Sequence, residues 1–332
     1  MENRVIIYFK KPPVLDRFLI GDRYLKKLKN LLYPPKVGSL ELVFLNLCKG
    51  MSKIGIPFKK NLPFSHLKPT DRIIVLGTGK HVLKGYNKPN KIIAGIGLMT
   101  HPAQWPTLFE DYPIAVYLQH SKWTAAIYNN YYGVGSCKIW PVGIDTDYWK
   151  SNLKSPKTQV LIYVKFLWNK TENQKELLQS IHSYLDEQEI AYKVITYGNY
   201  QRKEYKEQLE KSWGMIFLCE HESQGIAYQE AMAMNVPILA WDGGRWLDPM
   251  RIGWGEPEFV KASSVPYFDT TCGEKFENLK EFISGFMHFY VNAKNNRYHP
   301  RNYIINHLSL EKSATLMLNI INEVYADDQQ IP

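Results

Sequence analysis

The sequence predicts an α/β protein made of two doubly wound, parallel-sheet domains, and three observations lead there. Short apolar strand candidates alternate with longer segments of helical period along the chain, the pattern of parallel strands joined by crossover helices. The alternation stops at a polar, proline-containing segment, NLKSP at 152–156, and then begins again. The length, 332 residues, is more than one ordinary core needs and suits two domains of roughly 150 residues each.

In the first half the strand candidates are VIIYF (5–9), RIIVLG (72–77), KIIAGIG (91–97) and IAVYLQ (114–119). In the second they are VLIYV (160–164), YKVITYG (192–198), GMIFLCE (214–220) and VPILAW (236–241), where Pro237 suits the first position of a strand. A last helical segment, 309–325, carries Leu310, Ala314, Met317, Leu318, Ile321 and Val324 along one face, and spacing alone does not assign its partner. The division read from this pattern is 1–154, 155–308 and a C-terminal helical segment, 309–332.

Hydrophobic content of 45% with 22% charged residues is that of a globular chain. No apolar run approaches the 18 or so residues of a membrane span, and MENRVIIYFKKPP has no signal-peptide pattern, so the expected location is cytoplasmic. Cys48, Cys137, Cys219 and Cys272 form no C-x-x-C pair and read as reduced thiols. The net charge of +9 is uneven: residues 1–60 hold 13 Lys and Arg against 4 Asp and Glu. Within them RFLIGDRYLKKLKNLLY, from Arg17 to Tyr33, sets leucines at helical spacing among lysines. Two readings stand: a basic amphipathic face for peripheral contact with an anionic membrane or acidic acceptor, or a stripe that packs on its own domain. No recognition-helix, finger or RNA-binding signature accompanies the charge, so nucleic acid is not expected.

The most informative stretch is CEHESQGIAYQEAMAMNVPILAWDGG, 219–244. Glu222 lies just past a strand candidate, and Ile226 to Met234 reads as a helix entered through Ser223, Gln224 and Gly225. The carboxyl end of a parallel strand is where ligands bind in such sheets. A helix start there offers unpaired amides and the positive end of the dipole to hydroxyls or phosphate. Glu230, one turn in on the face of Ile226, can turn a carboxylate toward the same place and accept from a vicinal diol.

ESQGIAYQEAMAMNVPILA resembles the signature of retaining GT-B glycosyltransferases of the sucrose-synthase and lipopolysaccharide-transferase type, whose two Rossmann-like domains hold a nucleotide sugar in the cleft between them. Gly38-Ser39 resembles the family's glycine loop at the donor phosphate, with Ser39 in place of its second glycine. KIWPVGIDTDYWK (138–150) resembles the segment closing the first domain, and Asp242-Gly243-Gly244 the turn after the motif strand. Lys165 and Lys170 take the places of the Arg and Lys that hold the diphosphate. The resemblance implies a metal-independent transferase that moves a sugar with retention from a nucleoside diphosphate sugar, with UDP or GDP as the expected nucleotide and no further cofactor, to a glycan or lipid-linked acceptor. It implies that Glu222 and the backbone of Ser223, Gln224, Gly225 and Ile226 hold the donor sugar, Glu230 the ribose diol, and Lys165 and Lys170 the leaving diphosphate. It implies a final helix that crosses back to the first domain. His101 is an acceptor-side or sugar contact or else a structural loop histidine, and Tyr197-Gly198 would lie near the base. The rival readings are a catalytically silent nucleotide-sugar or glycan-binding module and a nucleotide-sugar hydrolase or epimerase.

Three further patterns are set aside. Asp145-Thr146-Asp147 spells a metal-binding D-x-D, but it sits beside the interdomain segment, and no metal is expected. Gly95-Ile96-Gly97 has Thr100 where a dinucleotide fingerprint has its third glycine. Gly77-Thr78-Gly79-Lys80 has Ile74 and His81 at P-loop positions that require Gly and Ser or Thr. Trp105, Trp241 and Trp246 read as sugar platforms or as packing residues.

Overall fold

In a computed structural model of the chain, two all-parallel sheets account for the alternation; residues 4–13, 16, 19, 21–32, 37–152 and 155–326 are described, without the side chains of Lys27, Asn30 and Leu31. Of the segments singled out above, Met1, Glu2, Asn3, Arg17, Phe18, Ile20, Tyr33, Leu153, Lys154 and residues 327–332 lie outside these residues. The first sheet contains β1 (Val5–Tyr8), β2 (Phe58–Lys60), β3 (Arg72–Leu76), β4 (Ile92–Gly95), β5 (Ile114–Gln119) and β6 (Cys137–Ile139) in the order β2-β1-β3-β4-β5-β6. The second contains β7 (Gln159–Lys165), β8 (Tyr192–Thr196), β9 (Ser212–Cys219), β10 (Ile238–Trp241) and β11 (Gly273–Phe276) in the order β11-β10-β9-β7-β8. The fold class read from the sequence is the one observed. Three edge strands, β2, β6 and β11, were not among the candidates.

The chain divides into two units: Met1–Gln119, Ala125–Val142 and Ala314–Pro332 form one, and His120–Thr124 with Gly143–Ser313 the other. In the first unit Ile6, Ile7, Ile73, Ile74, Ile92 and Ile93 have no exposed surface, as strands covered by helices on both faces require. The Leu310–Val324 helix runs into this unit, where Ala314, Met317 and Ile321 are buried. Just beyond it the Tyr325 hydroxyl accepts from Ile73 N at 2.8 Å and donates to Lys91 O, and Lys138 pairs with Glu323. In the second unit all eight residues of β9 are buried. Leu161, Met215, Phe217 and Ile238 pack on one side of this sheet with the Ile226–Ala233 helix, and Val160, Ile162, Ile216 and Leu239 on the other with Phe282, Phe286 and Phe289.

The glycines of GIG serve packing in the first unit. A Cβ on Gly97 would lie 1.9 Å from Gly77 O and 2.7 Å from a Leu40 methyl, and one on Gly95 would lie 2.7 Å from Leu118. The Gly77–Lys80 stretch turns into a short 3-10 helix, Lys80–Leu83, with Gly79 at φ 109°, and the Lys80 ammonium sits 4.7 Å from the Trp105 ring centroid. In the helix of the basic segment, Asp22–Leu32, the described apolar side chains, Tyr24, Leu25, Leu28 and Leu32, are exposed. Among the described residues no helix is long and apolar enough to cross a membrane.

Overpacking a site this tight costs on the order of 1–3 kcal/mol. Gly97→Ala is therefore expected to lower the thermal midpoint by several degrees, and by more than Gly38→Ala, whose Cβ would meet nothing within 4 Å and which forfeits only a glycine N-cap. Thermal unfolding followed by circular dichroism decides between this and equal midpoints for the two variants.

Candidate functional site

In the second sheet the strand order reverses between β7 and β9, since β7 is flanked by β8 on one side and by β9 on the other. A ligand-binding crevice in an open parallel sheet forms outside the carboxyl ends of the strands at such a switch point. Lys165 ends β7 and Glu222 follows β9 by three residues. Their side chains meet there, Lys165 Nζ to Glu222 Oε1 at 2.6 Å, with 14% and 12% of their side-chain surface exposed. Burial by itself lowers the Lys165 pKa, but the adjacent Glu222 carboxylate reverses this and holds it above the usual lysine range. The Tyr197 ring, half exposed after β8, lies 4.7 Å from the same ammonium. Gly198 follows at φ 84°, in the turn closed by Asn199 N to Thr196 O.

Three backbone devices fix this pair. Glu222 N donates to Ser263 O at 2.9 Å, and Asp242 holds that segment by accepting from Ser263 Oγ and Ser264 N at 2.7 and 2.9 Å. Glu222 O accepts from the indole of Trp123 at 2.9 Å. The buried Glu220 carboxylate accepts from the amides of Leu167 and Trp168, at 3.0 and 3.1 Å, so it secures the loop that leaves β7. Between the two glutamates, His221 stacks on Trp168 at 4.9 Å and meets Trp123 edge-on; burial, with the Lys165 charge, lowers its pKa to about 4, leaving a neutral imidazole at neutral pH.

Gly225 is the N-cap of the Ile226–Ala233 helix in left-handed conformation, φ 83° and ψ 56°. A Cβ there would lie 2.1 Å from the Tyr228 ring and 3.4 Å from Glu222 Cγ, so no side chain fits, and the helix start lies against Glu222. Gln224 faces inward: its Nε2 donates to Gln229 Oε1 at 2.9 Å, and Gln229 Nε2 returns to Gln224 O at 3.0 Å. The chain thus enters the helix through Ser223, Gln224, Gly225 and Ile226, with the Gln224 side chain and its carbonyl both tied to Gln229.

Glu230 has a different environment. It is buried, and its Oε1 accepts from Arg202 Nη2 at 2.7 Å. Burial raises its pKa to about 7, against the opposing pull of Arg202 and a hydrogen bond from Trp149. Arg202 lies over the Trp149 ring at 5.0 Å, and Arg301 holds that tryptophan's segment by donating to Trp149 O and Thr146 O at 2.9 and 3.1 Å. Tyr163 and Tyr200 join hydroxyls at 3.0 Å. Burial raises the pKa of both, and the charge of Glu222 adds to it at Tyr163, that of Glu230 at Tyr200.

The geometry thus brings together Lys165, Tyr197, Glu222 and Gly225, and places Glu230 with Arg202. Lys170 is exposed at the start of the short Lys170–Glu172 helix. In the first unit Gly38 caps the Ser39–Lys53 helix, with open space where its Cβ would be. His101, also there, is buried and caps the Pro102–Gln104 turn, its Nδ1 accepting from Ala103 N at 3.2 Å while Gln104 Oε1 accepts from Thr100 N at 2.9 Å. Asp145 Oδ1 accepts from Tyr148 N at 3.2 Å, so the D-x-D segment forms a turn. Trp105 and Trp241 donate their indole N–H to Asp111 and Glu277 O, and Trp246 is buried near Trp254. Arg202, Glu220, His221, Trp168 and Trp149 escaped the sequence reading. The C-E-H-E run was the one local sign of Glu220 and His221.

No protein-family model matches the sequence, and no curated protein is significantly similar to it. Solved structures share the fold. A variant of S. aureus TarM, in complex with fondaparinux, alpha-GlcNAc-glycerol and UDP, superposes with a TM-score of 0.56 at 13% identity over 84% of this chain; the match spans 59% of TarM, under two thirds of its length. The lipopolysaccharide outer core galactosyltransferase WaaB in its apo form matches over 98% of this chain and 99% of its own, with a TM-score of 0.53 and 10% identity. Sucrose-phosphate synthase from Thermosynechococcus elongatus gives 0.56 and 10% over 98% and 100%. The fold of this chain is GT-B.

The Glu230 environment predicts a pH signature. Its folded pKa of about 7 lies above the ordinary 4.5, so its contribution to stability is complete below pH 4.5 and is lost as pH rises to 7. The slope is about 1.4 kcal/mol per pH unit. Glu230→Gln is expected to gain on the wild type in urea unfolding between pH 5 and pH 8. Parallel stability profiles would contradict the assigned environment.

Proposed function

We propose that this chain is a retaining glycosyltransferase that transfers a sugar from a nucleoside diphosphate donor to a hydroxyl acceptor on a glycan or lipid-linked molecule. The observation that carries this reading is the convergence of Lys165, Glu222 and the Gly225 helix start at the switch point of a parallel sheet. A cation, a carboxylate and the amides of a helix start suit a ligand with both phosphate and hydroxyl groups. The GT-B fold supports it, as do the UDP complexes of structures sharing that fold: TarM, and the pneumococcal O-GlcNAc transferase GtfA, with UDP and GlcNAc, which matches at a TM-score of 0.50, 10% identity and 85% of this chain against 60% of its own.

In this reading residues 155–308 bind the donor and residues 1–154 meet the acceptor, with the segment 309–332 returning to the first domain. UDP or GDP is the nucleotide. Lys165, joined by Lys170, stabilises the charge that grows on the departing diphosphate, the role a metal fills elsewhere. Glu222 and the amides of 223–226 hold the sugar hydroxyls, and Glu230 accepts from the ribose diol. The acceptor oxygen bonds to the anomeric carbon on the face from which the diphosphate departs. The leaving phosphate oxygen takes the acceptor's proton, so configuration is retained without a protein nucleophile.

A thermal-shift titration of the wild type and Glu230→Gln with UDP, GDP, ADP, CMP and dTDP tests the donor site. One nucleotide is expected to raise the midpoint, by about 2.7 kcal/mol of stabilisation at a hundredfold excess over Kd, with a smaller shift for the variant. With the matching donor and an acceptor, the transferred sugar should keep its anomeric configuration by NMR. No shift with any nucleotide, or release of free sugar alone, would overturn the reading.

A further inference from the structure

The Asp22–Leu32 helix takes no part in the reading above, and its chemistry is of another kind. At about 100° per residue, Tyr24, Leu28, Leu32 and Leu25 fall within a sector of roughly 100°. They remain at the surface: Leu25 is 72% exposed, Leu28 56% and Leu32 66%, and Leu19, just ahead of the helix, 75%. Lys29 lies beyond one edge of this sector, while Arg23 and Lys26 occupy the opposite side, and all three are exposed. The Arg23 guanidinium is paired with Asp16, Nε to Oδ2 at 4.0 Å, so among the described cations of the helix Lys26 and Lys29 present the outward charge.

We propose that this helix is an interfacial anchor that seats its leucines in a bilayer surface containing anionic lipid. Eleven residues span about 16 Å, too short to cross a membrane and suited to lying in its plane. Three leucines on one face require an apolar phase, which excludes a soluble polyanion or nucleic acid as the main occupant. A second copy of the same helix would bring the same cations together, in a region of the chain that carries the whole +9 surplus. An anionic bilayer satisfies both faces at once: acyl chains receive the leucines, and headgroups face Lys26 and Lys29. The inference does not depend on the proposed function, because it concerns other residues and needs no nucleotide.

The test is sedimentation of the full chain with phosphatidylcholine vesicles, with and without phosphatidylglycerol. Binding is expected only with phosphatidylglycerol. It should weaken about tenfold or more in Leu25→Ser/Leu28→Ser and in Lys26→Glu/Lys29→Glu, and it should fall with added salt. Glu230→Gln should bind vesicles like the wild type. All four substituted side chains of the helix are exposed, so the thermal midpoint, measured alongside, should stay constant. Equal binding to pure phosphatidylcholine, or binding that survives both double variants, would overturn the proposal. So would a dimer in size-exclusion chromatography that the leucine variants dissolve, which would make a second copy the occupant.

Discussion

The contact between Lys165 and Glu222 is the interaction on which the carboxyl edge of the second unit's sheet depends. Neither partner would be comfortable there alone. An ammonium with little exposed surface drifts toward its neutral form, and a carboxylate left in the same place lacks its counter-charge. At 2.6 Å the Glu222 carboxylate keeps the Lys165 ammonium charged, and the strands that lead to the two residues are neighbours in the sheet. The pair therefore marks the switch point with a fixed charge of each sign. The surrounding hydrogen bonds act on its two supports: Glu220 secures the loop after Lys165, and Asp242, through the Ser263 segment, secures the backbone of Glu222.

The two glutamates of the motif illustrate how one residue type acquires two behaviours. Glu222 is matched by a largely buried lysine. Glu230 is more deeply buried and faces Arg202, whose side chain is 41% exposed and so offers a weaker, solvent-screened charge. Burial then prevails and moves Glu230 toward neutral pH. The Tyr163 and Tyr200 hydroxyls meet at 3.0 Å, and burial raises the pKa of both, with a smaller push from Glu222 at Tyr163 and from Glu230 at Tyr200.

Much of this was legible in the sequence because it is local. Central strands announce themselves as unbroken apolar runs, since helices cover both faces. The edge strands FKK, CKI and GEKF do not, because an edge faces solvent and its charged residues interrupt the run. Likewise Gly225 and the two glutamates share one short motif, whereas the partners that decide their environment are remote: Arg202 stands 28 positions from Glu230, and Lys165 stands 57 from Glu222. Lys165 was visible through resemblance to a family pattern; Arg202 had no pattern around it. His101 stood out in the sequence by its place after a strand and before a proline, while its cap on the Ala103 amide has no sequence pattern.

The most direct measurement is a double-mutant cycle on the central pair, with Lys165→Met, Glu222→Gln and their combination, read as calorimetric affinity for the nucleoside diphosphate that binds the wild type. If the pair acts as one unit that presents the lysine to the diphosphate, the two substitutions couple by about 1 kcal/mol or more. The corresponding nucleoside without phosphates should be indifferent to Lys165→Met. Additive losses, or equal losses for nucleoside and diphosphate, would contradict the account.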